Sequence, residues 1–515
     1  MLLSAEVYQC RYPDVVWQWQ IARILVVFPL PSLSHYISLR PFVEELANRG
    51  HEVTVITANP AYPKGQAPVN YTEIDIHEVA YTFKDNIISM AKGRGIHAQI
   101  SQIFHLFLHI FDVELKSEPI KQLLGDKEKK FDLLILEACL RPVLSLQHVY
   151  KVPVIQISSF GSLEVNNYVF GSTSHPLLYP TVYHQRLYNL TMWEKLVELY
   201  NYYYVMYLDY YYEKLENEML KKHFPDIPPL SELSNNVEFL FLNVHPIWEF
   251  NRPVPPNVIY VGALHIKPQK ELPKDLKTYF DSSKNGIIYM SFGTNVGPTQ
   301  IPAQTIRIFF KVFSQLPYDV LWKWDDDEIS GKPNNVRIGK WFPQADLLRH
   351  PKVKLFITQG GLHSTEEAIH AAVPLVAIPM SGDQWFNAEK YEHHKIGVGL
   401  NIHTINEKNF KEAITKVIED KSYRNNIIKL RSIMTDQPQA SLERAVWWTE
   451  YLLRHGSARQ LRSPAANMPL YQYMELELVV TILVALSVAL VVSLVAIYSL
   501  VKVVSNIFKT KIKTN

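Results

Sequence analysis

The chain has 515 residues, too many for one hydrophobic core, so two domains of about 200 residues each are expected. Its 52 lysines and arginines against 50 acids leave a net charge of +2, which excludes the basic field of a nucleic-acid-binding protein. Two cysteines, Cys10 and Cys139, exclude a disulfide framework.

Residues 1–22 read as an atypical N-terminal extension, because residues 1–20 lack the apolar core of about 7–15 residues that marks a signal peptide. Arg23–Leu30 is a continuous apolar run, the pattern of a strand buried on both faces. The segment PSLSH leads into a predicted helix over His35–Asn48, closed by Gly50, and His51–Thr57 follows as a second strand. This βαβ unit opens a parallel sheet. Further strands are expected at Phe131–Leu136, Val152–Ser158 and Val237–Asn243. Between them Leu187–Leu220 reads as a tyrosine-rich helix, either bulky and core-facing or the wall of a lipophilic site or membrane surface. Asn70-Tyr-Thr and Asn189-Leu-Thr are N-glycosylation sequons compatible with a lumenal body.

Proline and asparagine cluster at 251–258 and again over Pro268–Lys274, so 23–255 is taken as an N-terminal domain, 256–274 as a linker and 275–460 as a C-terminal domain. The second domain repeats the alternation. A strand at Gly286–Phe292 precedes a helix near Gln304–Gln315, strands at Asp319–Trp324 and Val353–Thr358, a helix at Thr365–Ala372, a strand at Pro374–Pro379 and helices to about Arg454. Two doubly wound α/β domains in tandem place a ligand crevice between the carboxyl ends of two sheets. The acidic run Asp325–Asp327 follows a strand and reads as a solvated loop rather than a metal site.

Leu478–Val501 carries no charge and as a helix of about 36 Å is long enough to cross a bilayer. Glu475 and Glu477 precede it, whereas Lys502, Lys509, Lys511 and Lys513 follow. The positive-inside rule therefore expects a cytosolic tail at 502–515 and a lumenal or extracellular body. The ending KIKTN resembles the dilysine retrieval signal of endoplasmic-reticulum residents. The missing signal peptide conflicts with this topology and points to an alternative start.

The densest chemistry lies between Trp341 and Gln384. Thr358-Gln359-Gly360-Gly361 joins a buried strand to a helix, where glycines admit a phosphate and free N–H groups favour an anion. Ser364 and Glu367 have capping-box spacing, but Glu367 is equally suited to accept from ribose hydroxyls. Trp341 on a loop serves either as a packing anchor or as a platform for a base. Asp383, in Gly382-Asp383-Gln384, has the character of a helix N-cap. Upstream, His35 sits at the end of the first strand, where a group of pKa near 6.5 suits a general base, although a histidine at a helix start is commonly a surface or capping residue.

The segment Trp341–Gln384 resembles the signature of the UDP-glycosyltransferase family, and the resemblance runs from Arg23 to the tail. It implies the two-domain GT-B fold, no metal and no cofactor beyond UDP-glucose as co-substrate. The implied reaction is inverting transfer to small lipophilic acceptors, as in conjugation or detoxification. By the same resemblance Trp341 stacks on uracil, and Gln344 and Glu367 bind the ribose. Ser291 and the turn Gln359, Gly360, Gly361, His363 and Ser364 bind the diphosphate, while Asp383 and Gln384 hold the sugar. His35 matches the family's catalytic histidine, and Glu137 in FDLLILEA stands where an aspartate orients that histidine.

Three departures matter. Gln359 replaces a frequent histidine, and His363 stands where many members have asparagine. Asn243 occupies the place of an arginine in vertebrate glucuronosyltransferases, where a cation would pair with glucuronate. These features look like the arthropod branch and favour glucose. A membrane-anchored endoplasmic-reticulum glycoprotein with a single pass is expected, its oligomeric state left open. The alternatives are a catalytically weak binder of lipophilic ligands on the same fold and an enzyme acting on the sugar nucleotide itself.

Overall fold

The computed structural model describes residues 21–83, 96–294 and 301–513, so nearly all of the N-terminal extension, Cys10 included, lies outside it. Two parallel sheets form the body. The first has seven strands: β1 (Arg23–Phe28), β2 (Glu52–Thr57), β3 (Tyr71–Asp75), β4 (Leu133–Glu137), β5 (Val154–Ser158), β6 (Val237–Leu242) and β7 (Val258–Tyr260), in the order β3-β2-β1-β4-β5-β6-β7. The second has six: β8 (Ile287–Ser291), β9 (Asp319–Lys323), β10 (Val336–Gly339), β11 (Val353–Thr358), β12 (Leu375–Ala377) and β13 (Gly397–Gly399), in the order β10-β9-β8-β11-β12-β13. This is the doubly wound pair expected from the apolar runs. The chain reverses direction between β1 and β4 in one sheet and between β8 and β11 in the other, the positions at which such sheets open a ligand crevice.

Every residue of β4, β5 and β8 is buried, because helices cover both faces of a parallel sheet. The Pro/Asn segment read as linker also supplies β7, an edge strand of three residues. The helix Ser441–His455 falls within the span 275–460, yet its Ala445, Val446 and Leu452 join Phe42, Val43, Leu46 and Phe241 in the core under the first sheet. Arg49 ties it there by ion pairs to Glu443 and Glu450. The chain thus crosses back to its N-terminal half before the last helix.

The tyrosine-rich helix runs Met192–His223 and is core-facing only in part. Val205, Leu208, Tyr212 and Met219 are buried, while Trp193, Tyr200, Tyr203, Tyr207 and Tyr210 are exposed. Arg141 anchors its inner face through Asp209 at 3.0 Å and Glu216 at 2.6 Å. The last helix, Leu476–Lys513, contains a segment from Leu476 to Ile507 that is long and apolar enough to cross a membrane and lies free of the body.

Candidate active site

Strand register assembles the site. β1 and β4 are parallel neighbours with Val27 opposite Leu136, and β4 pairs with β5 so that Glu137 lies opposite Ile157. Their carboxyl ends therefore present residues from three segments at one level. The helix Leu33–Asn48 begins just beyond β1 and places His35 in its first turn. His35 Nδ1–H donates to Glu137 Oε1 at 2.5 Å, and Ser159 Oγ, one residue past β5, lies 3.0 Å from the same nitrogen. The Cys139 thiol donates to Glu137 Oε1 at 3.2 Å. Glu137 is fully buried and its Oε2 has no partner among the described residues, whereas the His35 side chain is 21% exposed. The ring of Phe160 meets His35 edge-on at 5.7 Å. Burial pulls the His35 imidazole down, but the charge and hydrogen bond of Glu137, with Asp383 at longer range, outweigh it and hold the ring above its ordinary value.

The same logic builds the opposite wall. Thr358 at the end of β11 lies opposite Ser291 of β8 and Ala377 of β12, so the turns after these three strands converge. Gly360 has φ +92°, and a Cβ there would stand 3.1 Å from Gln384 O, a conformation and a space that require glycine. Gly293 has φ +73°, and its missing side chain makes room for the Gln359 amide, whose Nε2 would lie 2.3 Å from an added Cβ. Ser291 Oγ accepts from the Gly293 N–H at 3.3 Å.

The helix Leu362–Ala371 starts from an N-cap at Gly361. Ser364 and Glu367 therefore lie inside the helix and form no capping box. Gln344 Nε2 donates to Ser364 Oγ at 3.0 Å and to Glu367 Oε2 at 2.6 Å, and Tyr289 OH donates to Gln344 Oε1 at 3.0 Å. Burial pushes the Glu367 carboxyl up to about 7 against the Gln344 hydrogen bond. Trp341 stands nearby in sequence with its side chain 61% exposed.

Asp383 occupies the N-cap position of the helix Gln384–His393 without capping it. Its Oδ2 instead accepts from the Leu362 N–H at 3.1 Å and from Asn387 Nδ2 at 2.8 Å. Gln384 Oε1 closes the preceding turn by accepting from Met380 and Ser381 N–H at 2.7 and 2.9 Å. His363 differs from expectation. Burial, then the charge of His35, brings its pKa to about 4, and Nε2 lies 3.1 Å from Ser159 O. Facing a carbonyl, Nε2 must carry the ring's single proton, which leaves no N–H for an anion. His363 thus ties the second domain to the first. Trp248 Nε1–H strengthens the junction by donating to Asn387 Oδ1 at 2.8 Å, as does Lys390, which donates to Trp248 O.

Asn243 is sealed at 0% exposure, its Oδ1 accepting from Leu264 N–H at 3.3 Å and its amide nitrogen without a partner among the described residues. It is not brought to the surface of the crevice. Asp325, Asp326 and Asp327 are exposed, and Lys323 and Lys340 pair with the outer two. Asn189 is exposed and Asn70 half-buried at the start of β3. Sequence reading missed Tyr289, Gly293, Ser159 and Asn387. The first two were findable from the β8 apolar run and the glycine after it, whereas Ser159 and Asn387 enter only through tertiary register.

The family model for UDP-glucoronosyl and UDP-glucosyl transferases matches residues 22–514. The chain is similar to an ecdysteroid UDP-glucosyltransferase of Spodoptera littoralis nuclear polyhedrosis virus, 33% identical across 90% of this chain and 94% of the relative. It is similar also to UDP-glucosyltransferase 2 of Dactylopius coccus, 30% identical across 90% of each. Among solved structures, the glycosyltransferase VinC in complex with dTDP superimposes with a TM-score of 0.57 over 84% of this chain and 100% of that one, at 14% identity, which establishes the GT-B architecture. With its family signature matched from end to end and its two sheets arranged as in that fold, the chain belongs to the UDP-glycosyltransferase family, enzymes that transfer a sugar from a UDP-sugar.

Proposed function

We propose that the protein transfers glucose, with inversion, from UDP-glucose to a hydroxyl of a small lipophilic acceptor, with His35 as general base. The observation that carries this is the His35–Glu137 hydrogen bond at the crevice. Because Nδ1–H faces the carboxylate, Nε2 is left with its lone pair to take the acceptor's proton as the hydroxyl attacks the anomeric carbon and UDP departs from the opposite face. Glu137 orients the ring and stabilises the imidazolium that forms.

The second wall supports the donor assignments. Exposed Trp341 offers its face to uracil. The Gln344–Glu367 pair presents amide-carbonyl and carboxylate oxygens to accept from the ribose hydroxyls. Ser291, Ser364 and the Gln359-Gly360-Gly361 turn present donors and backbone N–H groups to the diphosphate. Asp383, within electrostatic range of His35, and Gln384 lie where a transferred hexose would sit. The glucose reading rests on the relatives' names and on the absence of a cation at Asn243, which bears on the sugar through what it lacks and not by contact. The apolar Leu476–Ile507 helix supports a single-pass anchor, with a lumenal body in the endoplasmic reticulum and a short basic tail in the cytosol.

Incubating the protein with a panel of phenols and alcohols and either UDP-glucose or UDP-glucuronate, with products read by mass spectrometry, tests the reading. Hexosides are expected; a preference for glucuronides overturns the sugar assignment. The Gly293→Ala variant is expected to weaken UDP binding about tenfold, or about 1.4 kcal/mol, by displacing the Gln359 amide. Calorimetric titration with UDP reads this directly, and an unchanged Kd would remove Gln359 from the diphosphate site.

A further inference from the structure

The pair assigned to proton transfer has a third member. Cys139 Sγ lies 3.2 Å from Glu137 Oε1, and the donor atoms of His35, Glu137 and Cys139 all lie within 4.8 Å of one another. An imidazole, a carboxylate and a thiolate are a ligand set for a borderline-soft divalent cation. At metal–ligand distances of about 2.0–2.3 Å, ligand atoms on a tetrahedral centre stand about 3.3–3.6 Å apart. The cluster reaches this by opening the 2.5 Å His35–Glu137 contact by about 1 Å and adjusting the His35–Cys139 separation, which lies within 4.8 Å, or by turning in Glu137 Oε2, which is buried and has no partner among the described residues. His35 and Cys139 are each only partly buried, so the cluster borders solvent.

We propose that His35, Glu137 and Cys139 form a reversible inhibitory site for a thiophilic divalent cation such as Zn²⁺. As the metal binds, the Cys139 S–H bond breaks, its proton passes to solvent and the sulfur lone pair forms the S–metal bond. No electron is transferred. The thiolate and carboxylate charges neutralise the ion, and neutral His35 gives Nδ1 as ligand once the Nδ1 proton has passed through solvent to Nε2. Occupancy removes Glu137 from the imidazole and fixes His35 in a state unable to hold a proton relayed from the acceptor. Because a proton must leave, binding weakens as pH falls.

The binding arm is independent of the catalytic reading; the inhibition arm rests on it. Full-length protein in detergent is titrated with Co²⁺ as spectroscopic probe and, separately, with ZnCl₂ during transfer assays. A saturable thiolate-to-Co²⁺ band of one equivalent is expected, lost in Cys139→Ser and retained in Cys10→Ala. Zn²⁺ is expected to inhibit reversibly with EDTA, and Cys139→Ser to raise its half-inhibiting concentration at least about tenfold, each variant being compared with its own metal-free rate. No band in the parent protein, or an equal band in Cys139→Ser, overturns the site. A Cys139-dependent band that saturates without loss of transfer keeps the site and overturns the assignment of His35 as base.

Discussion

The His35→Ala variant is expected to lose transfer activity by about a thousandfold or more, within the span that a positioned base supplies, while UDP still binds with parent affinity. The separation follows from placement. His35 belongs to the first sheet's carboxyl edge, and the proposed uracil, ribose and diphosphate contacts come from β8, the segment after β10 that carries Trp341 and Gln344, the turn after β11 and the helix Leu362–Ala371. Truncation also leaves Glu137 buried with Cys139 as its one side-chain partner among the described residues, an arrangement that lowers stability. His35→Gln therefore serves as a companion, since its amide still donates to the carboxylate but cannot accept and hold a proton at neutral pH. If either variant folds, binds UDP and turns over at the parent rate, the base lies elsewhere.

What the sequence disclosed and what it hid divide along a physical line. The strands it announced, Arg23–Phe28, Leu133–Glu137 and Ile287–Ser291 among them, are central and buried on both faces, so their sequences are dominated by apolar runs. The four it missed, β3, β7, β10 and β13, are the edges of the two sheets. An edge strand packs fewer neighbours and faces solvent, so its pattern fades: Tyr71–Asp75 has only Tyr71 buried. The placement of His35, Glu137 and Gly360 at or just beyond strand ends was legible. The partnerships were not. Ser364 and Glu367 have the spacing of a helix cap, but Gly361 starts the helix and Gln344 claims both side chains. Asp383 reaches back to the Leu362 N–H, and His363 reaches across to Ser159, both set by β11–β12 register and domain closure.

Glu137 makes the second large prediction, and its two effects run in opposite directions along the pH axis. With Glu137→Gln the rate at neutral pH is expected to fall by about 10²–10⁴, because the introduced amide can donate to Nδ1 and drive the ring's proton to Nε2, the wrong tautomer for a base. The parent's rate should rise with pH and level off only above the ordinary histidine value of 6.5, since the base works neutral and Glu137 favours its charged form. Burial is the largest influence on His35 and acts downward. Removing the carboxylate leaves it opposed only by Asp383, so the acid limb of the variant moves to lower pH while its plateau drops. Glu137→Asp probes distance instead. On this backbone the shorter side chain withdraws by about 1.5 Å, opening the 2.5 Å contact and giving a partial loss with a smaller shift of the limb. A pH–rate profile whose acid limb stays fixed in both variants would mean that the group titrating in kcat/KM is not His35, however far the rates fall.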